Sequence, residues 1–168
     1  AITLEKRQRV AFITLAKAET GNAIDSQMAA ELRQASCEVQ TDPSTWVVVL
    51  QAQGEFFCRG SQFTPIEINH PNLQQEMREA LKAHQVASAI ASITKPVIAS
   101  LQGDALDQGL ELALACDMRV AAVGIHLGFP QAAHDIMPWD GGTQRLTRLA
   151  GVSRAMDLLL TGRQIDTD

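Results

Sequence analysis

KPVIASLQGDALDQGLELALACDMRVA, residues 95–121, is the stretch that decides the fold class. Val97–Leu101 is a short apolar run typical of a buried strand, and a glycine-containing turn follows it. Residues 108–115 are apolar almost all round, which predicts a buried helix, and residues 118–122 are predicted to be another strand. A strand, a helix and a strand in close succession predict an α/β fold.

The same alternation extends over the rest of the chain. Apolar runs and helical spacing predict strands at residues 2–4, 10–15 and 46–50, and helices at residues 27–40, 73–93, 143–149 and 153–160. Asp25 or Ser26 is positioned to cap the first of these helices. Residues 123–142 contain two prolines and two consecutive glycines and are predicted to be rich in loops. We expect residues 1–168 to form a single domain.

Composition excludes several classes of function. The 168 residues carry a net charge of −5 with scattered Lys and Arg, so we expect no nucleic-acid partner and no membrane surface. No apolar run approaches the roughly 20 residues that span a bilayer. Cys37, Cys58 and Cys116 are far apart, and the histidines and cysteines show no metal-ligand spacing. We therefore expect a cytoplasmic protein with reduced thiols and no bound metal.

Glu111 is the one charged residue in the predicted helix at residues 108–115. One interpretation is an exposed carboxylate that complements the helix dipole in the first turn. Its apolar neighbours favour a buried carboxyl group instead. A buried carboxyl beside free backbone N–H groups is a candidate acid/base.

Two glycine loops each follow a predicted strand, at residues 54–60 and 103–109. Glycines allow sharp turns that leave N–H groups unpaired, and the second loop opens a helix whose first N–H groups are also free. Two such loops on neighbouring strands are able to aim two N–H groups at one oxygen and so form an oxyanion hole. The alternative is that they are only turns, which is the commoner role of such loops.

A third stretch, FPQAAHDIMPWDGGTQRL at residues 129–146, contains further polar candidates. His134 and Asp135 fit a pair in a surface loop. Asp140 fits either a catalytic role or a cap for the helix that is predicted to start near Thr143.

Four pieces of the chain together carry a family resemblance. They are TGNAID, FFCRGSQF, the stretch at residues 95–121, and MPWDGGTQRLTRLAGVSRAMDLLLTGRQID. In this order, over nearly the whole chain, they resemble the crotonase superfamily of enoyl-CoA hydratases and isomerases. The resemblance implies a spiral of ββα units that assembles as a trimer or hexamer. It also implies an acyl-CoA thioester substrate, no cofactor besides the coenzyme A of that substrate, and an enolate held in an oxyanion hole.

The resemblance also implies roles for individual residues. The two backbone N–H donors of the oxyanion hole would be those of Arg59 and Gln108, and Glu111 would be an active-site carboxylate. Residues implied to line the coenzyme A and substrate path are Lys17, Arg59, Gly60, Ser61, Gln62 and Gly109.

Several positions depart from the family pattern. Gln131 stands where the hydratases have their second glutamate, and an amide exchanges no proton at neutral pH. Gln62 replaces an aspartate, and Gln108 stands where a glycine is usual. With Glu111 as the principal acid/base, isomerisation, thioester hydrolysis or decarboxylation is favoured over hydration. The C-terminal helices that close the acyl pocket and build the trimer are expected to be absent from this chain.

Two alternatives remain open. Asp140 matches an aspartate of the branch that hydrolyses carbon–carbon bonds of β-diketones, although that branch has a histidine where Gln131 stands. The second alternative is a non-catalytic module for acyl-CoA binding or for assembly. We also expect self-association through the apolar residues of the last two helices, which are Leu146, Leu149, Met156, Leu159 and Leu160.

Overall fold

The computed structural model describes residues 1–62 and 72–168, so Phe63, the last residue of the FFCRGSQF motif, lies outside the described residues. The described strands are β1 (Ile2–Arg7), β2 (Val10–Leu15), β3 (Val47–Ala52), β4 (Val97–Leu101), β5 (Ala105–Leu106), β6 (Met118–Ala121), β7 (His126–Gly128) and β8 (Gln164–Asp166). The described helices are α1 (Ser26–Thr41), α2 (Leu73–His84), α3 (Ala87–Ala91), α4 (Gln108–Leu114), α5 (Gly142–Ala150) and α6 (Val152–Thr161). The α/β class predicted from the sequence is confirmed.

The larger sheet has the strand order β1-β2-β3-β4-β6. Strands β1 and β2 form the expected antiparallel hairpin, and the remaining neighbours pair in parallel. Helix α1 covers one face of this sheet and buries Met28, Leu32 and Val39 against Ile13 and Leu50. The apolar periodicity of α1 therefore builds the main core.

Asp25 caps α1 as expected. Its side chain accepts a hydrogen bond from the backbone N–H of Met28 at 2.8 Å. Such a cap satisfies one of the free N–H groups in the first turn of the helix. The boundary of α1 is therefore fixed by a local signal that is visible in the sequence.

A smaller sheet has the order β5-β7-β8 and stands beside α4. Strand β7 lies within the segment that was predicted to be rich in loops. Strand β8 pairs with β7 near the end of the chain, where no further element was predicted. These strands have only two or three residues each, so their sequences carry no alternation that would reveal them.

Residues 73–93 form two helices rather than the single helix that was predicted. Helix α2 ends at His84 and α3 begins at Ala87. The backbone N–H groups of Val86 and Ala87 donate to the side chain of Asp140 at 2.7 and 2.9 Å. A residue more than 50 positions away therefore breaks the helix, which local sequence patterns do not reveal.

A second apolar cluster joins α4, α5 and α6, and it includes Leu146 and Leu159. These two side chains were expected at an interface between subunits, and they are instead buried inside the chain. Leu149, Met156 and Leu160 are exposed, as that expectation required. Among the helices of the described residues, none has both the length and the apolar character needed to cross a membrane.

Candidate active site

The two glycine loops contact each other at the start of α4. Cys58 forms a parallel bridge with Ala105, and the N–H of Leu106 donates to the carbonyl of Cys58 at 2.9 Å. A Cβ atom on Gly109 would lie 2.3 Å from the same carbonyl oxygen, so only glycine fits there. Gly109 therefore serves the close packing of α4 against the first loop, and its role in binding substrate stays a prediction.

Asp107 turns the chain into α4 with an unusual backbone conformation. Its φ is +52° and its ψ is −124°, a region that favours glycine and is strained for other residues. This turn places Gln108 as the first residue of the helix. Within the described residues no acceptor bonds the backbone N–H of Gln108, as the oxyanion-hole prediction requires.

Glu111 is fully buried and held by backbone donors. Its Oε1 atom accepts the N–H groups of Asp140 and Gly142, each at 2.8 Å. Its Oε2 atom has no hydrogen-bond partner within residues 1–62 and 72–168. Burial raises the pKa of Glu111 from 4.5 to about 7; the two N–H donors oppose this shift, and the charge of Asp140 adds to it. The sequence-based interpretation of an exposed helix-end charge is therefore wrong.

Gly142 sets how closely α5 approaches Glu111. A Cβ atom at this position would lie 2.8 Å from Cγ of Glu111 and 2.9 Å from its Oε1. The absence of a side chain lets the N–H of Gly142 reach the carboxyl group. The second of the consecutive glycines is thus part of the site.

The buried carboxylate of Asp140 bonds both to the start of α3 and to a side chain of α4. Its Oδ2 atom accepts the N–H groups of Val86 and Ala87 and also the side-chain Nε2 of Gln108, at 3.0 Å. The expected cap on the helix near Thr143 is wrong, because α5 has Gly141 at its cap position and no side-chain cap there. Asp140 instead caps α3.

The side chain of Gln108 was missed by the sequence-based predictions, which used only its backbone. It is fully buried, and Nε2 donates to the carbonyl of His84 at 2.6 Å and to Asp140. Both partners are acceptors, so the amide nitrogen must face them and the oxygen must face away. Oε1 has no partner among the described residues.

Gln131 and Asp107 lie next to this group. The backbone N–H of Gln131 donates to Oδ1 of Asp107 at 2.8 Å, and Nε2 of Gln131 is buried without a partner in the described part of the chain. Burial raises the pKa of Asp107, and the hydrogen bond from Gln131 opposes this shift. Sequence reasoning also missed Asp107; the only local signal is its position directly before a helix. His134 and Asp135 are exposed, in agreement with the surface-loop interpretation.

The backbone of Arg59 is used within the fold. Its N–H donates to the carbonyl of Gly21 at 3.0 Å, and its guanidinium lies over the ring of Phe56. The N–H of Gln62 is also bonded, to the carbonyl of Ile24 at 2.9 Å. An N–H that is bonded to the protein is not presented to a substrate oxygen, so the structure corrects the prediction that Arg59 is a donor of the oxyanion hole.

The remaining residues of the predicted coenzyme A path lie along the same loop and the segment before α1. Ser61 bridges to Ile24 in parallel, and Gly60 packs so closely that a Cβ atom would lie 2.9 Å from Cβ of Asp107. The ammonium of Lys17 forms an ion pair with Asp25. An incoming phosphate would therefore compete with a carboxylate for Lys17.

Comparisons with known proteins agree with the fold. The sequence profile of the family described as enoyl-CoA hydratase/isomerase matches residues 5–168, and the chain belongs to this family. It is 32% identical over 168 residues to the short-chain-enoyl-CoA hydratase of Clostridium acetobutylicum. It is 34% identical over 168 residues to the (E)-benzylidenesuccinyl-CoA hydratase of Thauera aromatica.

A solved structure of an enoyl-CoA hydratase has the same fold as this chain. The enoyl-CoA hydratase of Bacillus anthracis superposes with a TM-score of 0.89 at 33% sequence identity, over 99% of this chain and 64% of that one. The crotonase-like fold predicted from the sequence is thereby confirmed. In the two sequence comparisons the chain is matched over 99% of its length and covers 64% of each relative.

Proposed function

We propose that this protein acts on an acyl-CoA thioester and that Glu111 moves the proton on the carbon next to the thioester carbonyl. The observation that supports this is a fully buried carboxyl group whose pKa is raised to about 7 and whose second oxygen is unpaired within the described residues. A pKa near the working pH gives a general acid/base its best efficiency. The carboxylate removes the proton, and the electron pair left on carbon is delocalised as an enolate.

The enolate oxygen is stabilised by the backbone N–H of Gln108. This donor stands at the first residue of α4, three residues before Glu111, so the two groups serve the same substrate. The proton then returns from Glu111 to the same carbon or to one further along the chain. In a thioester with a double bond between the β and γ carbons, return of the proton to the γ carbon moves the double bond to the α,β position and completes an isomerisation with no other reactant.

Hydration is disfavoured in this proposal. Adding water across a double bond calls for a second group that handles the proton of water, and the buried amide of Gln131 exchanges none. Isomerisation, thioester hydrolysis and decarboxylation are each compatible with a single acid/base. Hydrolysis of β-diketones is less compatible, because the branch that this reaction resembles has a histidine where Gln131 stands.

The experiment that tests the proposal measures proton exchange at the α carbon of butyryl-CoA in heavy water. This readout reports enolate formation whatever the complete reaction is. The wild type is expected to exchange, and Glu111→Gln is expected to lose about 10²-fold or more of the rate while it still binds the thioester in titration calorimetry. Glu79→Gln, on the exposed side of α2, is the matched control. Unchanged exchange in Glu111→Gln would remove the basis of the assignment.

A second variant tests the argument against hydration. Gln131→Glu supplies the missing carboxyl, and we expect it to create or increase the hydration of crotonyl-CoA. Rapid hydration by the wild type would show that one carboxylate suffices and that the argument from Gln131 is wrong.

Self-association is the remaining part of the proposal. Leu149, Met156 and Leu160 lie exposed on α5 and α6, and an exposed apolar patch of this kind marks an interface. We expect an oligomer in light scattering at micromolar concentration, and a monomer would contradict this expectation.

A further inference from the structure

A surface cavity of about 320 Å³ lies where the C-terminal end of α4 meets α5. The described residues that line it include three arginines, Arg119, Arg145 and Arg148, and a single carboxylate, Asp117. This space, here called the arginine cavity, therefore has an excess of two positive charges among its described side chains. Its other described lining residues are Leu114, Cys116 and Leu149.

The positive charges of the arginine cavity have no carboxylate bonded to them in the described part of the chain. Within residues 1–62 and 72–168, no ion pair includes Arg119, Arg145 or Arg148. Asp117 uses its Oδ2 atom to accept the backbone N–H of Val97 at 2.8 Å. Like charges around one cavity repel each other, and a cavity with an excess of one sign of charge concentrates ions of the opposite sign. The arginine cavity is therefore able to attract an anion.

Two of the guanidinium groups are held in place by backbone carbonyls. Nη1 of Arg119 donates to the carbonyl groups of Ala113 and Cys116 at 3.2 and 2.7 Å. Nη1 of Arg145 donates to the carbonyl of Asp140 at 2.7 Å. A guanidinium group has five N–H donors in a fixed planar arrangement, so both side chains keep donors for a ligand. Side chains that are already ordered lose less conformational entropy on binding.

The thiol of Cys116 adds no negative charge to the arginine cavity. Burial raises the pKa of this thiol to about 12; the charges of Arg119 and Arg145 oppose the shift, and the charge of Asp117 adds to it. A thiol with this pKa is protonated at neutral pH. The effect of both guanidinium groups on one thiol agrees with their position around a single cavity.

We propose that the arginine cavity binds the phosphate group of an organic phosphate. A phosphate monoester carries about two negative charges at neutral pH, which matches the excess of positive charge in the cavity. Guanidinium groups bind phosphate oxygens through paired hydrogen bonds. The apolar side chains of Leu114 and Leu149 line the same cavity and provide a surface for the organic part of the ligand. None of the described lining residues belongs to the predicted coenzyme A path, so this inference does not depend on the proposed function.

The test is titration calorimetry of the wild-type protein with phenyl phosphate, in a buffer that contains no phosphate. Inorganic phosphate and phenol are the comparison ligands. We expect phenyl phosphate to bind at one site per chain and about fivefold or more tightly than inorganic phosphate, because its ring covers apolar surface in the cavity. Phenol lacks the charge and should show no saturable binding. No saturable binding of phenyl phosphate, or equal affinities for it and for inorganic phosphate, would overturn the inference.

Light scattering in the same solutions separates a ligand site from a contact between copies of the chain. We expect phenyl phosphate to bind without a change in the mass of the particle. If it binds only while an oligomer dissociates, a second copy of the chain occupies the arginine cavity and the inference is overturned.

Arg148→Gln provides the decisive variant. Its side chain is exposed, so the replacement should leave folding intact. We expect the affinity for phenyl phosphate to fall about tenfold, because a charge-assisted hydrogen bond is lost. Arg154→Gln, on the exposed side of α6, makes the same change of charge outside the cavity and should bind as the wild type does. Unchanged binding in Arg148→Gln, or equal losses in the two variants, would overturn the site. Proton exchange on butyryl-CoA should keep its wild-type rate in Arg148→Gln, so a failure of this inference and a failure of the proposed function are measured separately.

Discussion

The pH dependence of folding stability offers a direct measurement of Glu111. Its pKa is raised from 4.5 to about 7 in the folded protein, chiefly by burial. The folded state therefore keeps the proton over a pH range in which the unfolded chain has already lost it. The stability that depends on this group is highest at low pH, and it falls as the pH rises through the folded pKa.

The magnitude follows from the two pKa values. A shift of one pKa unit is worth about 1.4 kcal/mol, so the shift of Glu111 corresponds to a limit of about 3 kcal/mol at high pH. Between about pH 5 and about pH 8 the expected loss is on the order of 2 kcal/mol, because part of the change lies outside this range. A loss of this size is a large fraction of the stability of a typical domain.

The perturbation is Glu111→Gln, and the assay is urea unfolding at several pH values across that range. The amide keeps the volume, and its oxygen still accepts the N–H groups of Asp140 and Gly142. The variant is expected to lack this decline. The free energy of unfolding of the wild type should therefore fall relative to that of the variant by an amount on the order of 2 kcal/mol. Glu79→Gln should follow the wild type. Parallel curves for the wild type and Glu111→Gln would refute the conclusion that Glu111 is buried with a raised pKa.

Two further predictions concern the residues around Glu111. Asp140→Ala should lower the free energy of unfolding by about 3 kcal/mol in urea titration, because it leaves the donors at the start of α3 unpaired. Asp140→Asn should lose about half as much, and equal losses in the two variants would contradict the capping role. Gly142→Ala places a Cβ atom 2.8 Å from Cγ of Glu111, so it should reduce α-proton exchange and destabilise the protein by about 1–3 kcal/mol. Exchange at the wild-type rate in a folded Gly142→Ala protein would show that the position of the Glu111 carboxyl is not critical.

The sequence by itself determined the elements whose signals are local. Helix α1 follows from its apolar spacing and from the Asp25 cap, and the buried strands follow from their β-branched runs. The burial of Glu111 was also predictable, because an apolar surround in a short helix leaves a side chain no route to solvent. These inferences depend on neighbours within a few residues, and the resemblance of four motifs in order supplied the fold.

The tertiary structure decided the contacts between distant segments. Asp140 breaks the predicted helix at residues 73–93 from more than 50 residues away, and Arg59 gives its N–H to Gly21 rather than to a substrate. The side chain of Gln108 is held by His84 and Asp140, which lie on opposite sides of it in the chain. A residue type and its spacing show which bonds a group can form, but the partner that takes each donor or acceptor depends on which segments the fold brings together. The geometry of the candidate site belongs to this second kind of information, because its hydrogen bonds join residues that are distant in the sequence.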